Sequence, residues 1–430
     1  MAHHINNRSH RRPYDQLTDR LNRFPQGAPE SRLLEKILKM LFSDREAELV
    51  ASLPIRPFTA EQASHIWSIN ITEAQKVLNS LASRAILVDI VQNDHIHYVL
   101  PPPMAGFFEF SLMRLRDDLD QKVLSELFYQ YLNVEEDFIR ELFTQGDTQL
   151  GRTFVHEPAL PEQQTLHVLD YERASEVIET ADPMGVSLCY CRHKMQHADK
   201  ACEAPMDICM TFNTSADSLI RHGHARRVDF VEGRELLQQA YENNLVQFGE
   251  NNMRGVNFIC NCCGCCCEAL LAAKRFAHLH PIHTTNYIPV LASEPCKGCG
   301  KCVDMCPVEA LSLVSANDPQ KPKRRKVRLD EEICLGCGLC VRSCPTESMH
   351  LSPRMEKVIT PVSSAHRVVL MAIERGKLQH LIFDNRLLFS HRALAAFLGV
   401  VFKLPPVKQI LANNQLQSRY IEKALAAKGY

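Results

Sequence analysis

Along residues 45–100, apolar positions recur first with a helical and then with a strand period. REAELVASL reads as a helix stopped before Pro54, and Thr59 is placed to cap a second helix over AEQASHIW. After the short SIN turn, ITEAQKVLNSLASRAI sets Ile71, Ala74, Val77, Leu78 and Leu81 on one helical face. ILVDIV and IHYVL then flank QNDH as the strands of a hairpin. That order predicts a winged-helix-like domain over 45–103, behind a polar arm and leading helix at 1–44. The amphipathic stretches DLDQKVLSELFYQYL and EEDFIRELF predict a helical region over 104–182. A Cys-rich region follows at 183–287, in which GRELLQQAYENNLV is a helix free of cysteine. A compact module occupies 288–353. Helical periodicity returns in HRVVLMAIERGKL and HRALAAFLGVVF within 354–430, where Pro405 and Pro406 precede a last helix. The expected fold class is α+β, a mainly helical multidomain chain.

Charge changes this picture little. A formal net charge of −1 selects neither nucleic acid nor a membrane surface. The first 30 residues contain no apolar run of signal-peptide type, and the apolar stretch from Ala393 to Phe402 is about half the length a membrane span requires. The expected location is the cytoplasm.

Cysteine changes the picture a great deal. There are 18, all between Cys189 and Cys344. A disulfide-stapled secreted protein distributes cysteines along a short chain to close loops. Here Cys265, Cys266 and Cys267 are adjacent, a grouping suited to soft metal ligation in a reducing compartment.

Eight of these cysteines form two repeats, CKGCGKCVDMCP at 296–307 and CLGCGLCVRSCP at 334–345. Each is C-x2-C-x2-C-x3-C-P, the spacing in which three cysteines grip one iron–sulfur cube and the fourth crosses to the other. Cluster I then takes Cys296, Cys299, Cys302 and Cys344. Cluster II takes Cys334, Cys337, Cys340 and Cys306. Gly298, Gly300, Gly336 and Gly338 let the backbone turn closely around inorganic sulfide, and the fourth cysteine is expected to start a helix. ALSLV and KVRLD are the expected flanking strands. This segment resembles the bacterial two-[4Fe–4S] ferredoxin family over roughly 60 residues, which implies one-electron transfer. It departs from that family in a longer hairpin, KPKRRKVR at 321–328, with six basic residues in eight. The hairpin is a solvated turn, a dock for an acidic redox protein or, least readily, a contact for nucleic acid.

Ten cysteines remain as candidate ligands of one or two further iron–sulfur clusters. They are Cys189, Cys191, Cys202, Cys209, Cys260, Cys262, Cys263, Cys265, Cys266 and Cys267. Alternate residues of an extended chain point the same way, so Cys189 pairs with Cys191, Cys260 with Cys262, and Cys263 with Cys265. The run of six could line two centres at once; zinc and metal-free reactive thiols are the competing readings. His193 and His197 read as hydrogen-bonding neighbours more readily than as ligands, and Arg192 as a donor to cluster sulfur.

CYCRH and ICNCCGCCC between a winged-helix-like front and a two-cluster ferredoxin resemble multi-cluster ferredoxin-like proteins of anaerobic bacteria. That resemblance extends to GFFEF at 106–110 and ERGKL at 374–378, and it implies electron transfer without naming a substrate. Two alternatives stand beside a carrier or redox-complex subunit. One is a redox-sensing transcription regulator, although helix 71–84 offers only Glu73, Lys76 and Arg84 to a phosphate backbone. The other is a reductase with an open-coordinated iron–sulfur site. No GxGxxG, P-loop or Ser-His-Asp pattern supports a stand-alone nucleotide or hydrolytic enzyme.

Overall fold

The computed structural model describes residues 12–160, 168–292 and 296–383. The apolar run at 393–402 and the helix expected after Pro406 lie outside them. Two compact units divide the chain: 1–142 with 368–430, and 143–367.

In the first unit the local signals act as the sequence suggests. The helices are α1 (Pro13–Leu21), α2 (Arg32–Leu41), α3 (Asp44–Ser52), α4 (Ala60–Trp67) and α5 (Ile71–Ser83). Ser43 with Glu46 and Thr59 with Gln62 form reciprocal capping boxes at the starts of α3 and α4. On α5 the buried stripe is Ala74, Leu78, Leu81 and Ala82. Ile71, the first residue of that helix, is instead 40% exposed. Strands β1 (Val88–Gln92) and β2 (His95–Val99) pair through a turn whose Asn93 and Asp94 adopt φ of 48° and 62°. Two consecutive left-handed residues match the turn to the twist of the strands. GFFEF supplies the core: Phe107 meets Phe42 edge-on with centroids 5.9 Å apart, and Phe108 packs on Phe128 at 5.0 Å. In ERGKL, Arg375 donates to the carbonyls of Pro25 and Leu142, and Lys377 donates to that of Phe24.

The second unit is built on a six-stranded antiparallel sheet of β3 (Gly151–Thr153), β4 (Met184–Leu188), β5 (Asp207–Phe212), β6 (Arg226–Val228), β7 (Val246–Glu250) and β8 (Phe258–Cys262). Its spatial order is β3-β7-β8-β5-β4-β6. Phe154, Ile178, Met184, Val186, Met210, Phe212, Leu237 and Ile259 form its apolar core. Strand β3 falls in a stretch whose pattern predicts helix. It is three residues long and buried throughout, so no alternation of apolar and polar positions announces it. Among the described residues no helix is long and apolar enough to cross a membrane.

Candidate metal centres

The two C-x2-C-x2-C-x3-C-P segments fold as near-copies. In each, a glycine in the left-handed region opens a one-turn helix: Gly300 (φ 85°) before the helix Lys301–Asp304, and Gly338 (φ 83°) before the helix Leu339–Arg342. The third cysteine of each segment, Cys302 or Cys340, lies within that helix. The fourth follows its end, a correction to the expectation that it starts a helix; two left-handed glycines and a four-residue helix consume the chain before it. Strands β10 (Leu311–Ser315) and β11 (Arg325–Leu329) pair between the segments, while β9 (Tyr287–Leu291) and β12 (Met349–Pro353) pair around them.

Each segment leaves a cavity. One is lined by Cys296, Cys299, Cys302 and Cys344 with Gly298, Val327 and Met349. The other is lined by Cys334, Cys337, Cys340 and Cys306 with Pro307, Leu335 and Leu311. In both, the cysteine that follows the short helix faces the other segment's triad. Backbone N–H groups reach sulfur four residues back in each copy: Ala310 N to Cys306 Sγ at 3.2 Å, and Ser348 N to Cys344 Sγ at 3.3 Å. Such donors favour thiolate and stabilise a cluster's more negative oxidation level.

The cavities differ in dryness. Burial pushes the Cys334 thiol up to about 11 and Cys337 up to about 12. Burial also raises Cys344, but the hydroxyl and N–H of Thr346 and the N–H of Ser348 outweigh it and hold that thiol below its usual value. Cys299 is exposed, whereas Cys334 and Cys340 are buried. A side chain at Gly336 (φ 69°) would strike the Tyr287 carbonyl at 2.1 Å. Thr285 Oγ1 fixes that loop by donating to the Gly336 carbonyl at 2.9 Å, and Arg354 donates to the Cys334 carbonyl at 2.6 Å.

The other ten cysteines fall into two groups. Six form a closed ring in the order Cys189, Cys191, Cys267, Cys262, Cys260, Cys209, with Cys209 returning to Cys189. Cys260 and Cys262 share a face of β8. Continuing the Met210–Ile259 register by one residue sets Cys209 opposite Cys260. Cys189 and Cys191 meet for a different reason from the extended chain expected. Cys189 caps the helix Tyr190–His197, and Cys191 lies in its first turn. Cys267 caps the helix Glu268–Arg275 in the same way. The buried ion pair of Lys194 with Glu268, 0% and 2% exposed, joins these two helices.

The direction in which the thiols are shifted alternates around the ring. Hydrogen bonds from Cys209 and Cys262 push the Cys260 thiol down to about 5, and those from Cys191 and Cys262 push Cys267 down to about 5. Cys191 and Cys209 with its neighbours hold Cys189 low as well, while Cys191, Cys209 and Cys262, as donors, are raised. Six thiols in mutual contact, four of them on buried residues, cannot all ionise against one another, so full deprotonation calls for a cation at the centre.

The remaining four, Cys202, Cys263, Cys265 and Cys266, bring all their sulfurs within 4.8 Å of one another. Cys263 to Cys266 form the turn between β8 and the helix Glu268–Arg275, and Cys202 reaches them from the loop before β5. Arg192, fully buried, lies between ring and tetrad and donates to the Asn261 carbonyl at 3.1 Å and to Cys263 Sγ at 3.7 Å. Burial alone would lower its guanidinium, but Cys189, Cys209 and Cys263 together raise it. His193 and His197 contact each other, Nε2 to Nε2 at 3.2 Å. The sequence left the division of the ten unresolved, because it depends on a loop from residue 202 closing onto a turn 61 residues away.

The thiol turn also approaches the second ferredoxin cavity. A Cβ placed on Gly264 would lie 2.6 Å from the Pro307 carbonyl oxygen and 2.9 Å from its Cα, so the two backbones are in contact one residue beyond Cys306.

No curated protein matches the chain. Residues 295–348 match the 4Fe-4S dicluster domain, so this segment is a ferredoxin-type iron–sulfur module for electron transport.

Proposed function

We propose that the chain is a one-electron relay, acting as a carrier or as a subunit of a redox complex. Cluster I, on Cys296, Cys299, Cys302 and Cys344, is its surface terminal. Cluster II, on Cys334, Cys337, Cys340 and Cys306, is its buried one. The two four-cysteine cavities with exchanged fourth ligands carry this reading, since each offers the donor set that four irons require. Such clusters supply one-electron redox chemistry at potentials set by burial and by hydrogen bonds to sulfur. The chain contributes the ligands, the N–H donors and the exclusion of water. The six-cysteine ring is the candidate for a further iron–sulfur cluster, and the Gly264–Pro307 contact brings the turn between its Cys262 and Cys267 close to cluster II.

The partner we propose is an acidic redox protein docking at 321–328. Arg325, Lys326 and Arg328 are exposed, and Val327 among them lines the cluster I cavity. The Arg325 carbonyl abuts Gly298, so the basic strand flanks the cluster loop itself. A cytoplasmic, reducing setting suits free thiols at this density. The winged-helix-like front is proposed as a protein-interaction module. Arg84, which could have met phosphate, is turned back onto Glu46 and the Leu41 carbonyl.

Iron and acid-labile sulfide analysis with electron paramagnetic resonance on anaerobically prepared protein tests the relay. About eight of each per chain are expected from the ferredoxin pair, and more if the ring is loaded. Colourless, iron-free protein after reconstitution would end the reading.

A further inference from the structure

We propose that Cys202, Cys263, Cys265 and Cys266 hold a single tetrahedral zinc ion, a site separate from every iron–sulfur centre. The argument is one of distance. Zinc–thiolate bonds of about 2.3 Å at tetrahedral angles set the four sulfurs about 3.8 Å apart. The observed separations are 3.5 Å for Cys202–Cys263, 3.6 Å for Cys265–Cys266 and 3.9 Å for Cys202–Cys266. A cubane places its own body between thiolates bound to different irons and therefore holds them much further apart. The ferredoxin cysteines of this same chain instead line two separate cavities, four to each.

The surroundings suit a closed structural site. Four thiolates around one Zn²⁺ leave a net double negative charge, and Arg192 supplies a buried guanidinium at 3.7 Å from Cys263 Sγ. All four positions are filled by protein sulfur, which leaves no open coordination position for chemistry. The ion would tie the 202 loop to the turn between Cys262 and Cys267, both members of the six-cysteine ring. Of the 18 cysteines, eight then serve the ferredoxin pair, six the ring and four the zinc.

The test is metal analysis and zinc K-edge X-ray absorption on full-length protein reconstituted anaerobically with iron, sulfide and zinc. About one zinc per chain is expected, with four sulfurs at about 2.3 Å and no metal neighbour. Cys266→Ser should weaken zinc retention at least about tenfold in a chelator competition. Because that variant removes a buried ligand, Cys265→Ser at the exposed corner provides a second reading. There, cobalt substitution should show weaker thiolate charge-transfer absorption than in the unaltered protein, by about one ligand in four; unchanged intensity would overturn the proposal. Cys337→Ala should lose iron and keep zinc, which separates failure of this site from failure of the relay. Absence of stoichiometric zinc in the unaltered protein, or loss of iron with zinc retained in Cys266→Ser, overturns the proposal.

Discussion

Replacing Lys194 by Met should destabilise the second unit by about 3–5 kcal/mol, because it strips an ammonium from a carboxylate that cannot reach water. Lys194 and Glu268 are 0% and 2% exposed and join the helices capped by Cys189 and Cys267. Solvent screening is therefore small, and the single variant bears the desolvation cost of the remaining charge. Against a typical total stability of about 5–15 kcal/mol, that loss is severe. Glu268→Leu should cost a similar amount by stranding the ammonium. The double variant Lys194→Met/Glu268→Leu removes both charges at little change in volume and should fall within about 1 kcal/mol of the original protein, or exceed it. Anaerobic urea denaturation followed by far-ultraviolet circular dichroism reads the three differences. Iron content reports whether the ring centre follows the helices. If either single change costs under about 1 kcal/mol, or the double variant loses the sum of the two, the pair is not the buried, mutually dependent contact described here.

Gly264→Ala should cost about 1–3 kcal/mol and separate the thiol turn from Pro307, since its Cβ would lie 2.6 Å from a backbone oxygen that cannot rotate away. Stopped-flow reduction should then show slower electron passage beyond cluster II, and unchanged kinetics would remove that step from the relay. Cys337→Ala should abolish the lower-potential ferredoxin signal in a redox titration, because cluster II is the more buried of the pair; disappearance of the higher-potential signal would reverse the assignment. Lys323→Ala with Arg325→Ala and Lys326→Ala should slow reduction by an acidic partner and flatten its salt dependence, and unaltered salt dependence would refute docking at this strand. Burial, and after it the charge of Arg342, depresses His156 to about 4. The unfolded chain therefore binds the extra proton first as pH falls, so stability present above pH about 6.5 is lost progressively down to about 4, by on the order of 3 kcal/mol. His156→Phe keeps the ring packed beside Tyr241, 4.4 Å away, and should lack that share of the acid sensitivity; identical pH profiles would count against it.

The sequence by itself determined the local chemistry. Capping residues Ser43 and Thr59, the Asn93–Asp94 turn and the period of α5 act within a few residues of one another, so their outcome is written in adjacent positions. The ferredoxin spacing was legible for the same reason, because three of each set of four cysteines lie within seven residues. Only the tertiary structure decided how the other ten cysteines divide. Neighbours in sequence part company there: Cys262 joins the ring, while Cys263 turns toward Cys202. The strand β8 ends between them, and which thiol faces which centre depends on its pairing with β5 and on a loop arriving from residue 202. Such contacts follow from burial and sheet register, which no single stretch of chain encodes.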